Sequence, residues 1–420
     1  MKRSSATKLA TARLAVPALL LSLSGLARAD LPLNFSLYGF LNAEVESVGA
    51  DGGATPYVHR GRVSDGNSRI GFSGWVAVDE HTKGLWQLEG GLNEFEQGGV
   101  NDQGASSTLT SRNSFVGISD DRFGQVLVGN YDSVYRSLVG SGSELGGNLG
   151  MSSHGLDLWN NTSAQMSGNA NSVFSRGEAR LKNSVHYLSP TWAGVQFGAS
   201  YGFDEALANG ANHDRYSLAA KYANGPLEIG VGFDHQQNTG VDFDQLQEGF
   251  GFAVNGQNGV HTTYAKVVAS YKLPTNTYVG AGFERASYGY SEVLPPAAGS
   301  IYSTAQKGQM AQNDFMVSVA QDVTDKAALL FSYGRLGSLR NAVFGTGDQY
   351  SANQYSVGAQ YTFNSHLATY VTLTKINNKA EQSVNLGESP LYSNDVGSSG
   401  AYLAPGDSPR AFGVGLIARF

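Results

Sequence analysis

The 420-residue chain contains no cysteine. Disulfide staples, thiolate catalysis and cysteine-ligated metals are therefore excluded, and stability has to come from backbone pairing and packing. After residue 29 there is no apolar run long enough to cross a bilayer as a helix, which takes about 20 residues. Charged residues make up only 15% of the chain, and no block of Lys or Arg stands out. Helical periodicity is almost missing. The eight histidines never adopt H-x-x-x-H or HExxH spacing, so no metal site is expected. No G-x-S-x-G follows a parallel strand, and no triad pattern or other catalytic constellation is seen. The expectation is a protein that is not an enzyme and carries no cofactor.

The chain begins with an export pattern. Lys2, Arg3, Lys8 and Arg13 precede an apolar run over 14–23, and Ala27-Arg28-Ala29 forms a small-x-small cleavage site. Residues 1–29 are expected to be a secretory signal peptide removed before Asp30. This leaves 30–420 with 23 basic and 35 acidic residues, a net charge of −12. An acidic chain of this kind is unsuited to wrapping nucleic acid.

Glycine is abundant, at 54 residues, and Tyr and Phe number 21 and 20. That mixture suits many short strands. In "NFSLYGFLNAEVE", Phe35, Leu37, Gly39, Leu41, Ala43 and Val45 share one face, while Glu44 and Glu46 fall on the other. "NQYSVGAQYTF" sets Tyr355, Val357, Ala359, Tyr361 and Phe363 against Gln354, Ser356 and Gln360. The ending "AFGVGLIARF" sets Phe412, Val414, Leu416, Ala418 and Phe420 against Gly413, Gly415 and Arg419. Alternation of period two marks strands with two different solvents on their faces. About sixteen such segments occur, including 34–47, 58–78, 108–119 and 410–420, most of them long enough for a tilted membrane strand of about 9–11 residues.

The connections alternate as well. Short turns such as "DEHTKG", "SDDRFG" and "ANGP" take turns with long Gly/Ser/Asn-rich pieces at 132–178, 238–259, 289–309 and 379–409. Short turns on one side and long loops on the other are the pattern of an outer-membrane barrel. In lipid every backbone N–H and C=O must be paired within the protein, so the sheet must close. At about sixteen strands the closed sheet leaves an aqueous channel. The expected fold is therefore all-β: a 16-stranded antiparallel transmembrane β-barrel in outer-membrane lipid, with Glu44 and Glu46 facing the lumen. Trp86, Tyr361, Phe363 and Phe420 lie near short turns on the apolar parity, as an aromatic girdle does. Arg69 alternates with Ile70 and Phe72, and Arg112 is set against Asn113 and Phe115. This reading turns both arginines away from lipid, where mid-strand charge costs about 2–4 kcal/mol.

Over most of its length past residue 29 the chain resembles the general trimeric porins of Gram-negative outer membranes, especially their β-proteobacterial branch. "SLYGFLNAEVE", "NSRIGFSG", "LWQLEGGLN", "SRNSFVGISDDRFGQVLVGNYDSVYRSL", "RLKNSVHYLSPTWAGVQFGASYG", "FNSHLATYVTLTKINN" and the terminal Phe420 carry the likeness by their order and spacing. The resemblance implies a homotrimer whose barrels pass ions and small hydrophilic solutes by passive diffusion. It implies a third loop, 132–178, folded inward to narrow the bore. It places Arg69, Arg112 and Arg180 on the wall of the constriction, opposite loop carboxylates drawn from Asp132, Glu144 and Asp157. It makes Phe420 the signal read by the outer-membrane assembly machinery. Enteric members often carry lysine where Phe40 stands and arginine where Asn130 stands. With Glu44 and Glu46, these changes give a weak lean towards cations. The alternatives are a substrate-specific porin for small anions or organic acids, or a structural or adhesive barrel with a plugged lumen.

Overall fold

Strands form where apolar and polar side chains alternate, because only a pleated strand can offer two faces to two solvents. In the computed structural model these stretches are β1 (Leu33–Asp51), β2 (Tyr57–Asp65), β3 (Arg69–Ala77), β4 (Thr82–Gly91), β5 (Ser114–Asp120), β6 (Gly124–Asp132), β7 (Arg180–Leu188), β8 (Val195–Gly202), β9 (Arg215–Asn224), β10 (Leu227–Gln237), β11 (His261–Lys272), β12 (Thr277–Leu294), β13 (Thr304–Asp322), β14 (Ala327–Leu336), β15 (Ala352–Asn364), β16 (Leu367–Asn378) and β17 (Ser408–Arg419). The structure describes residues 33–53, 57–66, 68–92, 112–141, 173–174, 176–205, 212–239, 259–294, 304–342, 345–386, 391 and 403–420.

Each strand pairs antiparallel with its neighbours, and β17 returns to β1 in a register that runs from Phe40↔Arg419 to Asp51↔Ser408. The sheet is a closed barrel. Its seventeen strands make sixteen staves, because β1 pairs with β3 along 33–40 and with β2 along 43–50. The segment 58–78, which reads as one strand, is thus one stave broken at 66–68. The β1 register passes from Phe40↔Arg69 to Ala43↔Asp65 across this break. The run Asp65-Gly66-Asn67-Ser68 is rich in turn formers, which explains the break. Asn42 stitches it: its N–H donates to Ser68 Oγ at 2.9 Å and its Nδ2 to the Gly66 carbonyl at 3.1 Å.

The two faces separate as alternation requires. On β17, Phe412, Val414 and Leu416 are about half exposed on the outside, while Ala411 and Ile417 are buried inside. The pairing continues through the last residue, since the Gly39 N–H donates to the Phe420 carbonyl at 2.8 Å and the Phe420 N–H to the Gly39 carbonyl at 3.1 Å. The Phe420 ring lies over Gly39, where a Cβ would have to displace it. Phe123, Trp192, Tyr361, Phe363 and Phe420 are exposed along the rim of short turns. At that rim the Asp79 carboxyl accepts the His81 and Thr82 N–H groups at 2.9 and 2.8 Å. Those bonds hold it below the usual carboxylate range.

A single helical turn, α1 (Val134–Ser137), follows β6, with Ser133 Oγ accepting the Arg136 N–H at its start. Val134, Leu138, Val139 and Phe174 are buried against Leu127, Leu188, Ala219, Val268 and Met316, which face inward from the strands. Gly282 and Gly334 make room for this contact, because a Cβ at either would meet Phe174 or Val173. Both described ends of the 132–178 segment thus rest on the inner wall. Residues 142–172 lie outside the described residues.

Val414 is paired on both sides, with Val45 and with Val371. Val414→Pro removes a ladder donor and adds a ring clash, expected to cost about 3 kcal/mol or more. Loss of the compact, heat-modifiable band on electrophoresis checks this; a normal yield of that band would contradict closure at this seam.

Candidate functional site

The inner face of β1 to β7 carries most of the charge that sequence reasoning singled out. Glu46 on β1 lies directly across from Arg62 on β2, with Nε to Oε2 at 2.7 Å. Glu44, one inward step away, accepts from Thr372 Oγ1 at 2.7 Å and from the Tyr370 hydroxyl at 3.2 Å, both on β16. Arg69, at the start of β3, stacks its guanidinium 4.7 Å from the centre of the Phe40 ring, and Arg419 approaches the same ring at 5.4 Å. Phe40 therefore serves as a cation-π platform between two arginines.

Arg112 precedes β5 and pairs with Glu89 of β4, Nε to Oε1 at 2.7 Å, while Tyr38 donates to the other carboxylate oxygen at 2.9 Å. The alternation used for this arginine does not hold. Val116 and Ile118 are the exposed, outward residues of β5. Phe115 points inward and meets Tyr131 edge-on at 5.1 Å. Arg112 reaches the lumen because it lies before the strand, where parity no longer applies. Asn130 holds it there by donating Nδ2 to the Arg112 carbonyl at 2.7 Å.

Asp132 ends β6 at the root of the long segment. Its Oδ1 is 3.1 Å from Nε of Arg180 and 3.1 Å from Nε of Arg136, and Asn113 donates to its Oδ2 at 3.2 Å. Arg180 also donates to Asn113 Oδ1 at 2.8 Å. The structure thus joins Asp132 directly to Arg180. Arg69, at the start of β3, and Arg112, just before β5, meet the Phe40 ring and Glu89 respectively. Glu144 and Asp157 lie outside the described residues. Two participants escaped the sequence reading. Arg62 stands on the inward parity in "HRGRV". Arg136 follows Asp132 by four residues, the spacing at which a helix start brings side chains together.

A second polar cluster, also not anticipated, binds the far end of the segment to β9–β13. Arg176 donates its N–H to Glu284 Oε1 at 3.1 Å, and its side chain to Asp314 Oδ2 at 3.1 Å and Gln312 Oε1 at 2.8 Å. Tyr135 of α1 donates to Glu284 Oε2 at 3.0 Å. Lys266 lies 2.5 Å from Glu178 and 3.1 Å from Glu284. Arg215 pairs with Asp234 at 2.9 Å and donates to the Gly177 carbonyl. Nearly all of these groups are fully buried. Charges removed from water persist only when paired and hydrogen-bonded, so the network fixes 176–178 to the wall. The clue was the parity of Lys266, Glu284 and Asp314, which are mid-strand charges that lipid would not tolerate.

His186 is wedged between Ser184 and Ser200, at 2.7 and 2.8 Å, and Ser200 Oγ also accepts the Val134 N–H at 2.9 Å. It helps seat α1 on β7 and β8. Among the described residues no group of three or more His, Cys, Asp or Glu is placed to hold a metal ion. The arrangement suits electrostatics: rows of fixed charge along an interior wall, available to act on solutes that pass.

Residues 11–381 match a family model described as Gram-negative porin. The major outer membrane protein P.IB of Neisseria meningitidis serogroup B is 26% identical over 341 residues, covering 75% of this chain and 92% of that protein. Among solved structures, an anion-selective porin from Comamonas acidovorans shares the fold with a TM-score of 0.66 at 18% identity, over 93% of this chain and all of that one. OmpT, an outer membrane protein of Vibrio cholerae solved in a trimer form, gives a TM-score of 0.58 at 15% identity, over 92% of this chain and 99% of that one.

Asp132→Asn leaves Arg136 and Arg180 partly buried without their carboxylate, a loss expected to cost about 3 kcal/mol. The denaturant midpoint of the detergent-folded protein should fall accordingly, and an unchanged midpoint would show that the trio adds no stability.

Proposed function

Because this chain belongs to the Gram-negative porin family, whose members are outer-membrane channels for passive diffusion, we propose that its solute preference is set where the 132–178 segment crosses the lumen beside the arginine-bearing wall. The protein is an outer-membrane channel for ions and small hydrophilic solutes. The observation that carries the finer reading is the attachment of the segment at both ends. Asp132 is held by Arg136 and Arg180 near β7, and Arg176 is held by Asp314 and Glu284 on β12 and β13. Anchorage at both described ends supports the reading that the 132–178 segment folds inward.

Arg69, Arg112 and Arg180 then give one side of the narrowing its positive charge. Arginine suits this role because it stays charged and presents a planar set of donors. Asp132 contributes from the root of the loop, and Glu144 and Asp157 are its further acidic candidates. The lean to cations stays weak for a reason visible in the pairing: Arg62 neutralises Glu46, and Arg112 neutralises Glu89. A wall of near-balanced pairs acts more on the orientation of dipolar solutes than on the sign of ions. That balance favours a general channel over a dedicated site for small anions. No catalytic role is assigned.

The chain is proposed to work as a homotrimer, supported by its family. Residues 1–29 act as the cleaved export signal, and Phe420 as the mark read by the assembly machinery. Deleting Phe420 is expected to lower the amount assembled in cells, and normal assembly without it would remove that role.

Arg112→Ala frees the Glu89 carboxylate within the lumen. In a planar bilayer under a KCl gradient, the reversal potential should move towards cation preference while the folded yield stays near normal. An unmoved potential would take Arg112 out of the constriction.

A further inference from the structure

A water-filled bore calls for polar side chains on its inner wall, yet one part of this wall is apolar. Towards the mouth from which the long connections emerge, β1, β14, β15, β16 and β17 turn Val48, Ala50, Leu336, Ala352, Ile376 and Ala411 inward. All six are 4% exposed or less. They are dry because four described residues of the last long connection, between β16 and β17, pack on them: Val384, Leu386, Leu391 and Leu403, themselves 5% exposed or less. Val173, from the segment that follows β6, belongs to the same cluster.

The connection is fastened by polar groups as well. Asn378 Nδ2 donates to the Val384 carbonyl at 2.8 Å and to the Asp407 carbonyl at 2.7 Å. Gln382 Nε2 donates to the Tyr350 carbonyl at 2.7 Å. Asn385 Oδ1 accepts the Leu386 and Leu391 N–H groups at 2.8 and 2.9 Å, and its Nδ2 donates to the Leu391 carbonyl at 2.8 Å. Asp407 accepts the Gly53 N–H at 2.7 Å, tying the end of the connection to the turn after β1. Among the described residues, the Val384 and Leu391 carbonyls and the Leu386 and Leu391 N–H groups are satisfied by the amide side chains of Asn378 and Asn385, as a buried irregular segment requires.

We propose that residues 382–386, with Leu391 and Leu403, form a fixed strap that covers the β14–β17 and β1 side of the outer mouth and sets the size limit for entering solutes. Releasing it returns four apolar side chains of the strap, and the six wall residues beneath them, to water. The hydrophobic effect therefore holds it down. Because Val173 shares the cluster, the strap also buttresses the far limb of the 132–178 segment, next to Arg176.

Two measurements on the full-length protein test this. The double variant Val384→Asp with Leu386→Asp places two carboxylates in a dry cluster, which expels the strap and leaves every ladder residue in place. Single-channel conductance in a planar bilayer is expected to rise roughly 1.5-fold or more, and liposome swelling should admit trisaccharides faster relative to monosaccharides. Conductance that is unchanged or lower, with the same solute cut-off, would overturn the proposal. The chain has no native cysteine, so Leu386→Cys and Leu403→Cys can be made singly without altering the strap's charge. A membrane-impermeant maleimide should label each roughly tenfold or more slower than it labels Lys379→Cys, a position exposed at the foot of the connection. Equal labelling rates would overturn the proposal independently of the conductance.

Discussion

A sheet in hydrocarbon cannot have an edge, because an unpaired N–H or C=O there has no water to turn to. That constraint organises this molecule. β17 must find β1, and it does so along the whole seam from Asp51↔Ser408 to Phe40↔Arg419. The backbone pair between Phe420 and Gly39 then finishes the job at the last residue. A soluble domain lets its final residues fray. Here fraying of β17 would reopen the barrel, and the pairing holds through Phe420.

Closure also divides the side chains into those that meet lipid and those that meet the interior. The interior is far from uniform. Along β1–β7 the charges form pairs, Arg62 with Glu46 and Arg112 with Glu89, in which a partly exposed arginine covers a buried carboxylate. Along β11–β13 they are buried, and Arg176, Lys266, Glu284 and Asp314 bind part of the long segment to the wall. Towards the mouth a third region is apolar and covered. One inner surface thus combines a charged path, an ionic anchorage and a hydrophobic seat. All three follow from what lies against each part of the wall.

The fold was legible in the sequence because lipid enforces strict alternation on one face. Phe412, Val414 and Leu416 leave no other reading. Where a chain segment fills the interior, that rule loses force. Phe115 looked outward by its chemistry, yet it packs inside on Tyr131. Ile417, Met316 and Leu330 are likewise buried inner residues. Apolar residues on the inner parity are therefore a signal of a filled lumen, one the sequence held but alternation alone could not interpret. The broken stave at 66–68 was marked by its turn formers yet hidden within a longer alternating run. Arg62 and Arg136 were missed because each gains its meaning from a partner, Glu46 across a ladder and Asp132 one helical turn away. Pairings across strands depend on register, which a single sequence states only weakly.

A continuous aqueous path through one closed barrel is tested most directly by recording the purified, folded protein in a planar bilayer bathed in KCl. The geometry predicts discrete upward current steps, nearly ohmic at low voltage and growing in proportion to salt concentration. Correctly folded protein that inserts yet yields no current steps would contradict it.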